Sequence, residues 1–564
     1  MKKTFFFHSL LIFSLFVFSI SFFAEAQITD DKYKQIDSLF LDWNTPNHPG
    51  GVIGVMKEGE TVFLKSYGLA SLEYLVPNST ETIFNTASVS KQFTAMGMVL
   101  LDLQDKLSVD DDIRKHIPEL PYFGETVTIR HMLHHTSGLR SFHALLALAG
   151  WREDDSRTND DLYRFMNTQQ NLNFSPGDQY AYCNTGYMLM AKIIENVTGA
   201  KFPTWMKENI FEPLGMINTY VEDEYNRVVR NNATSYYKTE EGFAHAVEYW
   251  GYVGSGNMHS TANDLLKWLN NFDTPTPGWE APFELLQTQN NFINGQLNDY
   301  AFGIGIGKYK GLKRITHGGS IGGFRSFVCT YPEQKLNIAV LTNFSSANSG
   351  FINNQVSDIL LSDVFQEPSV NQESKEPRKT IKLSSKKLQE FESDFWNEKE
   401  DYKRKIYLKD DTLRYFRSEN SKSPLVPIGK SEFQMINVED DIVVSFSSND
   451  TDKLILTLVI NDGIPSIFEA FDFIPSSPEK LSAYTGEYFS PELRSSYFFS
   501  MQDDTLKYHH PRHGTFNLHE IKEDVYESNW PLNLIKFQKD DYGKITGFLV
   551  SNDRVMNLWF ERKD

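Results

Sequence analysis

Apolar residues at Ile36, Leu39, Phe40 and Trp43 fall at a helical interval and predict a helix over residues 28 to 43. Two strand-like runs follow, "GVIGVMKEG" and "TVFLKSYG", parted by a Gly-Glu turn. In "FNTASVSKQFTAMGMVLLDL", residues 84 to 103, Phe93, Met96, Leu100 and Leu103 return to the helical period. Helical patterns and loops then dominate from about 130 to 270. Strand character reappears in "RITHGGSIGGFRSFVCTYP" and "LNIAVLTNF", and a last helix is predicted over 351 to 365. This order implies an α/β unit in which the terminal segments share one antiparallel sheet and a helical region is inserted between them.

Residues 366 to 380, "QEPSVNQESKEPRKT", carry no apolar period and read as a linker. Beyond them the chain repeats itself. "DDTLRY" at Asp410 to Tyr415 returns as "DDTLKY" at Asp503 to Tyr508, and at the same offset Lys387-Leu388, Phe391 and Phe395 match Lys480-Leu481, Tyr484 and Tyr488. Short alternating strands such as "KRKIYLKDDTLRYF" make each copy a candidate small antiparallel β-barrel. The expected division is an export signal at 1–26, a first domain at 27–366, a linker at 367–383, and barrel-like repeats at 384–475 and 476–564.

The first residues change the picture of where the protein works. Lys2 and Lys3 precede a long apolar run that ends in Ala24-Glu25-Ala26, the small-x-small pattern of a cleaved secretory signal; an uncleaved anchor helix is the alternative. Cleavage would start the mature chain near Gln27, with no further membrane-spanning segment, in the periplasm or outside the cell. A formal charge of −19 argues against nucleic acid or anionic lipid held by bulk electrostatics. Cys183 and Cys329 are the two cysteines, too few for a disulfide framework, and read as one bridge or as two buried thiols.

Three short motifs carry candidate chemistry. Ser88 and Lys91 stand three apart, one helical turn, so the amine can reach the hydroxyl if the serine opens the helix. Helix-end donors would favour a developing alkoxide there; a capping serine beside a solvated lysine is the bland alternative. Ser384 with Lys387 and Ser477 with Lys480 share the spacing at equivalent starts of the two repeats, which makes the pattern alone uninformative. In "FSPGDQYAYCNTGYMLMAKIIENVTG", Tyr182 and Asn184 flank Cys183 ahead of a helix expected near Gly186. The phenol suits proton relay and the amide suits a substrate carbonyl, with Asn184 as the cap of that helix an equal alternative. His317-Gly318-Gly319-Ser320 lies on a strand where two glycines leave room for a substrate backbone, or form a plain bend. The Ser320 and Ser88 N–H groups could together make an oxyanion hole.

In this order and on these elements, the three motifs resemble the class C-like branch of the serine β-lactamase and penicillin-recognising enzyme superfamily. The resemblance spans about residues 30 to 365, with support from "VTIRHMLHHTSGL" and "GSGNMHSTANDLLKWL". It implies that Ser88 is the acylated nucleophile, that Lys91 and Tyr182 share general acid–base work, and that Asn184, His317, Gly318, Gly319 and Ser320 bind substrate. No cofactor is implied. His131, His134 and His135 form an H-x-x-H-H run without the carboxylate base of helical zinc sites, so no metal role is expected. His317 stands where β-lactamases carry lysine, which weakens a dedicated β-lactamase and favours amides or esters without an obligatory carboxylate. Were His317 to work by ionising, its titration should fall between roughly pH 5.5 and 8. A catalytic domain followed by two barrels resembles the D-aminopeptidase arrangement, in which barrel loops narrow the entrance; His509, His510 and Arg512 are the candidates here, or else solvated turn residues. The expected partner is thus a small-molecule or peptide substrate. The expected activity is hydrolysis of D-amino-acid-containing or cell-wall-type peptides, with a broad esterase, a β-lactamase and a non-catalytic wall-fragment binder as alternatives.

Overall fold

The computed structural model describes residues 28–365 and 378–563, apart from 419–420, 439–440, 461–462, 464, 474 and 553. The expected signal at 1–26 and the linker residues 366–377 lie outside the described residues. The described residues fall into two compact units: 28–139 with 153–164 and 174–365, and 378–563 with 140–152 and 165–173. The chain is thus divided differently from a contiguous 27–366 domain, because two stretches from the first half group with the C-terminal residues.

The first unit is built on a six-stranded antiparallel sheet. Its order runs Gly305–Tyr309, Leu312–Ile321, Phe324–Tyr331, Leu336–Thr342, Gly51–Lys57 and Glu60–Tyr67. The N-terminal hairpin closes the sheet through register pairs such as Val55 with Ile338 and Gly51 with Thr342. From Gly51 to Met56 this strand is an unbroken apolar, buried run, as a strand covered on both faces requires. One face packs helices Asp30–Ser38 and Ser349–Leu361 through a core that includes Ile36, Phe40, Ile53, Val356 and Leu361. Against the other lies helix Ala262–Asn270, approaching so closely that a Cβ at Gly54 would stand 2.9 Å from Leu266. Of the two outer helices, the first is shorter than its periodicity predicts, because Thr29 caps it and it gives way to a 3₁₀ turn at Leu41–Trp43; the second starts earlier than expected, at Ser349 behind its cap Asn348, and ends earlier, at Leu361.

The helix Ser90–Leu103 is buried along nearly its whole length, with the Phe93 ring tilted against Trp268, 4.1 Å between centres, and Gln92 accepting the Trp268 indole N–H at 2.9 Å. An all-round apolar helix of this kind is a central element, and its polar residues need internal partners.

The second unit contains the two repeats. Strands Ser393–Asn397 to Ser466–Phe471 form a closed eight-stranded barrel in sequence order, around a core centred on Phe395, Ile406, Leu413, Val444 and Phe468. Strands from Gly486–Ser490 to Val555–Lys563 form a nine-stranded antiparallel sheet around a core of its own. The duplicated Asp-Asp pairs explain themselves here. Asp410, Asp411, Asp503 and Asp504 all have φ between 50° and 57°, the left-handed pair demanded by a two-residue hairpin turn. Ser384 and Ser477 each accept the N–H of the lysine three residues on, so these S-x-x-K matches are N-caps of the short helices Ser385–Gln389 and Pro478–Ser482. The aromatic matches fill equivalent core positions, Phe391 and Phe395 in one copy and Tyr484 and Tyr488 in the other.

The second copy also takes in residues from the first half of the chain. Ala144, Leu145 and Leu148 of helix Phe142–Leu148 lie in its core, and the Tyr497 hydroxyl donates to the Leu148 carbonyl at 3.0 Å. Arg140, almost fully buried, pairs with the equally buried Glu492. Burial pulls the guanidinium pKa down and the Glu492 charge holds it up. His510 ends strand Thr505–His510, bonded to Ser495 at 3.1 Å, and burial pulls its pKa to about 4.

Candidate active site

Ser88 does not open a regular helix. It sits in a 3₁₀ turn, Ala87–Val89, immediately before Ser90–Leu103. Ala87 has φ of 50°, a left-handed conformation costly for a residue with a Cβ. That bend is held from several sides. Asn85 Oδ1 accepts the Ala87 N–H at 2.9 Å, Ser90 Oγ donates to the Ala87 carbonyl, and Ser326 Oγ donates to the Thr86 carbonyl at 2.7 Å.

Lys91 is fully buried. Its Nζ donates to Ser88 Oγ at 3.1 Å and to the Ser255 carbonyl at 2.6 Å. The ammonium also lies 4.8 Å from the centre of the Tyr182 ring and 5.6 Å from that of Tyr187. Ser88 and Lys91 therefore form one cluster with Tyr182, which is remote in sequence. The loop at 298–305 presses on it, because Gly303, with φ of 75°, comes within van der Waals reach of the Lys91 backbone.

The Tyr182 loop differs in detail from its expected form. Helix Asn184–Thr198 starts at Asn184 and not near Gly186, and its N-cap is Cys183, which makes no side-chain cap. Asn184 is thus the first helical residue, buried, and not the cap. The Cys183 N–H donates to His135 Nδ1 at 3.1 Å, while its thiol bonds the Leu139 carbonyl at 3.2 Å. Cys183 and Cys329 are both buried and not joined in a disulfide, which removes the alternative of a bridge between them.

His317 and the two glycines lie on strand Leu312–Ile321. The neighbouring strand Gly305–Tyr309 pairs only with Leu312 to Thr316, so from His317 onward one edge of the sheet is open. A Cβ at Gly319 would collide with Ser326 Oγ, the Thr86 carbonyl oxygen and the Ala87 methyl. Glycine there lets the strand close against the turn that holds Ser88, and a Cβ at Gly318 would already stand 3.3 Å from the Phe327 ring. Ser320, next along, is exposed.

His317 requires a correction to the sequence expectation. Burial, with the charge of Lys91 added, pulls its pKa to about 3, so it does not ionise between pH 5.5 and 8. Its Nδ1 faces the Gly318 carbonyl at 2.7 Å and its Nε2 faces the Tyr300 hydroxyl at 2.9 Å. A neutral ring donating from Nδ1 and accepting from Tyr300 satisfies both bonds.

Tyr300 had no motif to announce it. It joins His135, Tyr180 and Tyr182 in an aromatic cluster, with His135 4.2 Å from Tyr182 and 4.6 Å from Tyr300 between ring centres. Its backbone is clamped by Asn298 Oδ1, which accepts its N–H at 3.0 Å, and by His134 Nδ1, 2.9 Å from its carbonyl oxygen. The histidine run therefore splits by task. His131 closes a capping box on Ile129–Leu133, His134 holds the Tyr300 backbone, and His135 packs on Tyr182. Among the described residues no group of three or more potential ligands is placed to hold a metal ion.

The Beta-lactamase family description matches residues 37–359. A D-aminopeptidase of Gluconobacter oxydans is 29% identical over 301 residues, 53% of this chain and 56% of the relative. Penicillin-binding protein 4* of Bacillus subtilis is 28% identical over 333 residues, 56% of this chain and 72% of that protein. The chain thus spans little more than half the length of the D-aminopeptidase it matches. An octameric penicillin-binding protein homologue from Pyrococcus abyssi shares the fold, with a TM-score of 0.53 and 24% identity over 78% of this chain and all of that one. The Ser88 turn, its buried lysine and the open strand edge all fall inside the matched region, which covers more than half of the sequence: the chain belongs to the Beta-lactamase family.

Proposed function

We propose that the protein is an exported serine hydrolase that forms an acyl-enzyme on Ser88 and acts as a peptidase on D-amino-acid-containing or cell-wall-type peptides. The observation that carries this reading is the Lys91 Nζ, 3.1 Å from Ser88 Oγ and pinned by the Ser255 carbonyl at 2.6 Å, with Tyr182 against it. Ser88 Oγ attacks the scissile carbonyl carbon and its proton passes to the Lys91–Tyr182 pair, one of whose two groups starts the step deprotonated. The oxyanion is met by the Ser88 and Ser320 N–H groups. The pair then gives its proton to the departing amine, leaving an ester on Ser88. Water attacks that ester, loses a proton to the same pair, and Ser88 recovers its hydroxyl hydrogen. The open edge beside His317 suits an extended peptide lying antiparallel to the strand, and Asn184 would hold a substrate carbonyl.

Specificity follows from His317. A buried neutral ring supplies no fixed positive charge for a carboxylate next to the scissile bond. This supports D-amino acid amides and peptides, the chemistry in the name of the D-aminopeptidase relatives, ahead of β-lactams. Short acyl esters would use the same residues and form the second reading. Export rests on Lys2, Lys3, the apolar run and Ala24-Glu25-Ala26. Purified protein should hydrolyse D-amino acid amides faster than their L-counterparts, and intact-mass analysis of a slow substrate should place the acyl group on Ser88. An adduct elsewhere defeats the assignment, and a preference for short acyl esters defeats the peptidase reading.

A further inference from the structure

Within the second unit a cavity of about 800 Å³ lies between the outer surface of the closed barrel and the nine-stranded sheet. Its barrel wall follows from strand alternation. Ile406, Leu413 and Tyr415 point into the barrel core, so Lys405, Tyr407 and Phe416 point out. Lys405, Phe416 and Lys422 are direct neighbours across three strands, and Trp396 stands opposite Lys403. Cations and aromatic rings therefore alternate at strand spacing along one wall.

The charge of this cavity is opposite to that of the chain. Among the described residues, Lys403, Arg404, Lys405, Arg417 and Lys422 line it against two carboxylates, Asp401 and Glu527, in a protein of formal charge −19. Asp401 is ion-paired with Lys536, and Lys403 with Asp394 at 3.3 Å. Lys405 is exposed, and so is Lys422, whose ammonium lies over the Phe416 ring, 5.5 Å from its centre. Trp396 adds an independent sign. It lines the same cavity at 4% exposure, and its indole N–H has no hydrogen-bond partner, a cost that a bound acceptor would remove.

We propose that this cavity binds a saccharide chain bearing carboxylates. Sugar rings present apolar C–H faces to Phe416 and Tyr407, their carboxylates meet Lys405 and Lys422, and the Trp396 N–H donates to a sugar oxygen. A ligand whose ring faces and anionic groups alternate matches a wall on which rings and ammonium groups alternate. A bare anion would not use the rings, and a neutral glycan would not use the lysines. None of these residues belongs to the Ser88 site, so the proposal stands apart from the catalytic reading.

Calorimetric titration of the full chain with a linear tetragalacturonate tests it, alongside cellotetraose and inorganic phosphate at the same concentrations. Saturable binding of the acidic tetrasaccharide, weakened by salt, is expected, with none for the other two. Lys405→Glu combined with Lys422→Glu should weaken it about tenfold or more. Trp396→Phe should weaken it too, by removing the one N–H while keeping an aromatic ring. Hydrolysis of a small amide by each variant should equal that of the parent protein. Absence of binding by tetragalacturonate, equal binding by the lysine double variant, or equally tight binding of cellotetraose or phosphate would overturn the proposal.

Discussion

Ser88 with Lys91 and Ser384 with Lys387 have one spacing and opposite physics. At 384 the serine hydroxyl accepts a backbone N–H and the lysine reaches out to Glu390 at the surface. At 88 the lysine is sealed from water and its amine is turned onto the serine hydroxyl, a carbonyl and two aromatic rings. Ser477 with Lys480 repeats the surface arrangement, with the lysine paired to Glu523. The difference lies in the turn before each serine. Ser384 and Ser477 have extended backbone typical of an N-cap, whereas the strained Ala87 directs Ser88 away from capping and towards Lys91. A spacing therefore states what two side chains can reach; burial and backbone angle decide what they do.

The sharpest way to break this contrast is to remove the hydroxyls in turn. Ser88→Ala should lower kcat/KM for a D-amino acid amide by about 10³-fold or more while Ser384→Ala and Ser477→Ala leave it unchanged. Equal losses at 88 and 384 would erase the distinction. Next in size, Lys91→Met should lower kcat by roughly 10²- to 10⁴-fold, against no change for Lys387→Met, read in the same assay.

His317 sharpens the contrast from the side of charge, because it too is a polar group changed by burial. The pH profile of kcat/KM should show no His317 limb between about pH 5.5 and 8, and His317→Gln should leave the shape of the profile unaltered. His317→Lys should raise relative activity on substrates carrying a carboxylate beside the scissile bond, by about tenfold for one charge-assisted contact. The same ring bears on stability. Its folded pKa of about 3 lies below the ordinary 6.5, so folded and unfolded chains are both neutral there above 6.5. As pH falls from 6.5 towards 3 the unfolded chain takes up a proton that the folded one refuses, and stability is lost. His134, at about 4, and His259, at about 3, act in the same direction. The melting temperature should therefore fall on acidification through this window, less steeply in His317→Gln.

The smallest effect belongs to the caps. Ser384→Ala and Ser477→Ala should each cost about 1 kcal/mol of stability in the unit that holds them, measured by chemical denaturation. Ser88→Ala, which removes no cap, should cost less.

These contrasts also mark what a reader of the sequence alone can reach. Lys91 is legible only when Ser88 is read together with the Tyr182 and His317 motifs, since its spacing recurs at Ser384 and Ser477; the repeats are legible from their shared Asp-Asp turns, a local regularity. Tyr300 is not legible: "NDYAFG" has no fixed spacing to His317, and only the folded loop brings the two side chains within 2.9 Å. The charge state of His317 is hidden for the same reason, since burial and the nearby Lys91 come from segments remote in the chain. The strain at Ala87 is invisible because alanine gives no hint of a left-handed turn; the neighbours Asn85, Ser90 and Ser326 impose it.

The buried pair of Arg140 and Glu492 has a consequence in time. Its partners are separated by 352 positions, and the core around Leu145 and Leu148 is completed by strands that end at Lys563. During synthesis, residues 140–152 must wait for nearly the whole remaining polypeptide before their apolar and charged groups find cover. Contacts of such long sequence separation close slowly. Refolding should therefore end in a late phase that stitches residues 140–152 into the last repeat, and truncation before Glu492 should leave that stretch a target for proteases while the six-stranded sheet is already formed.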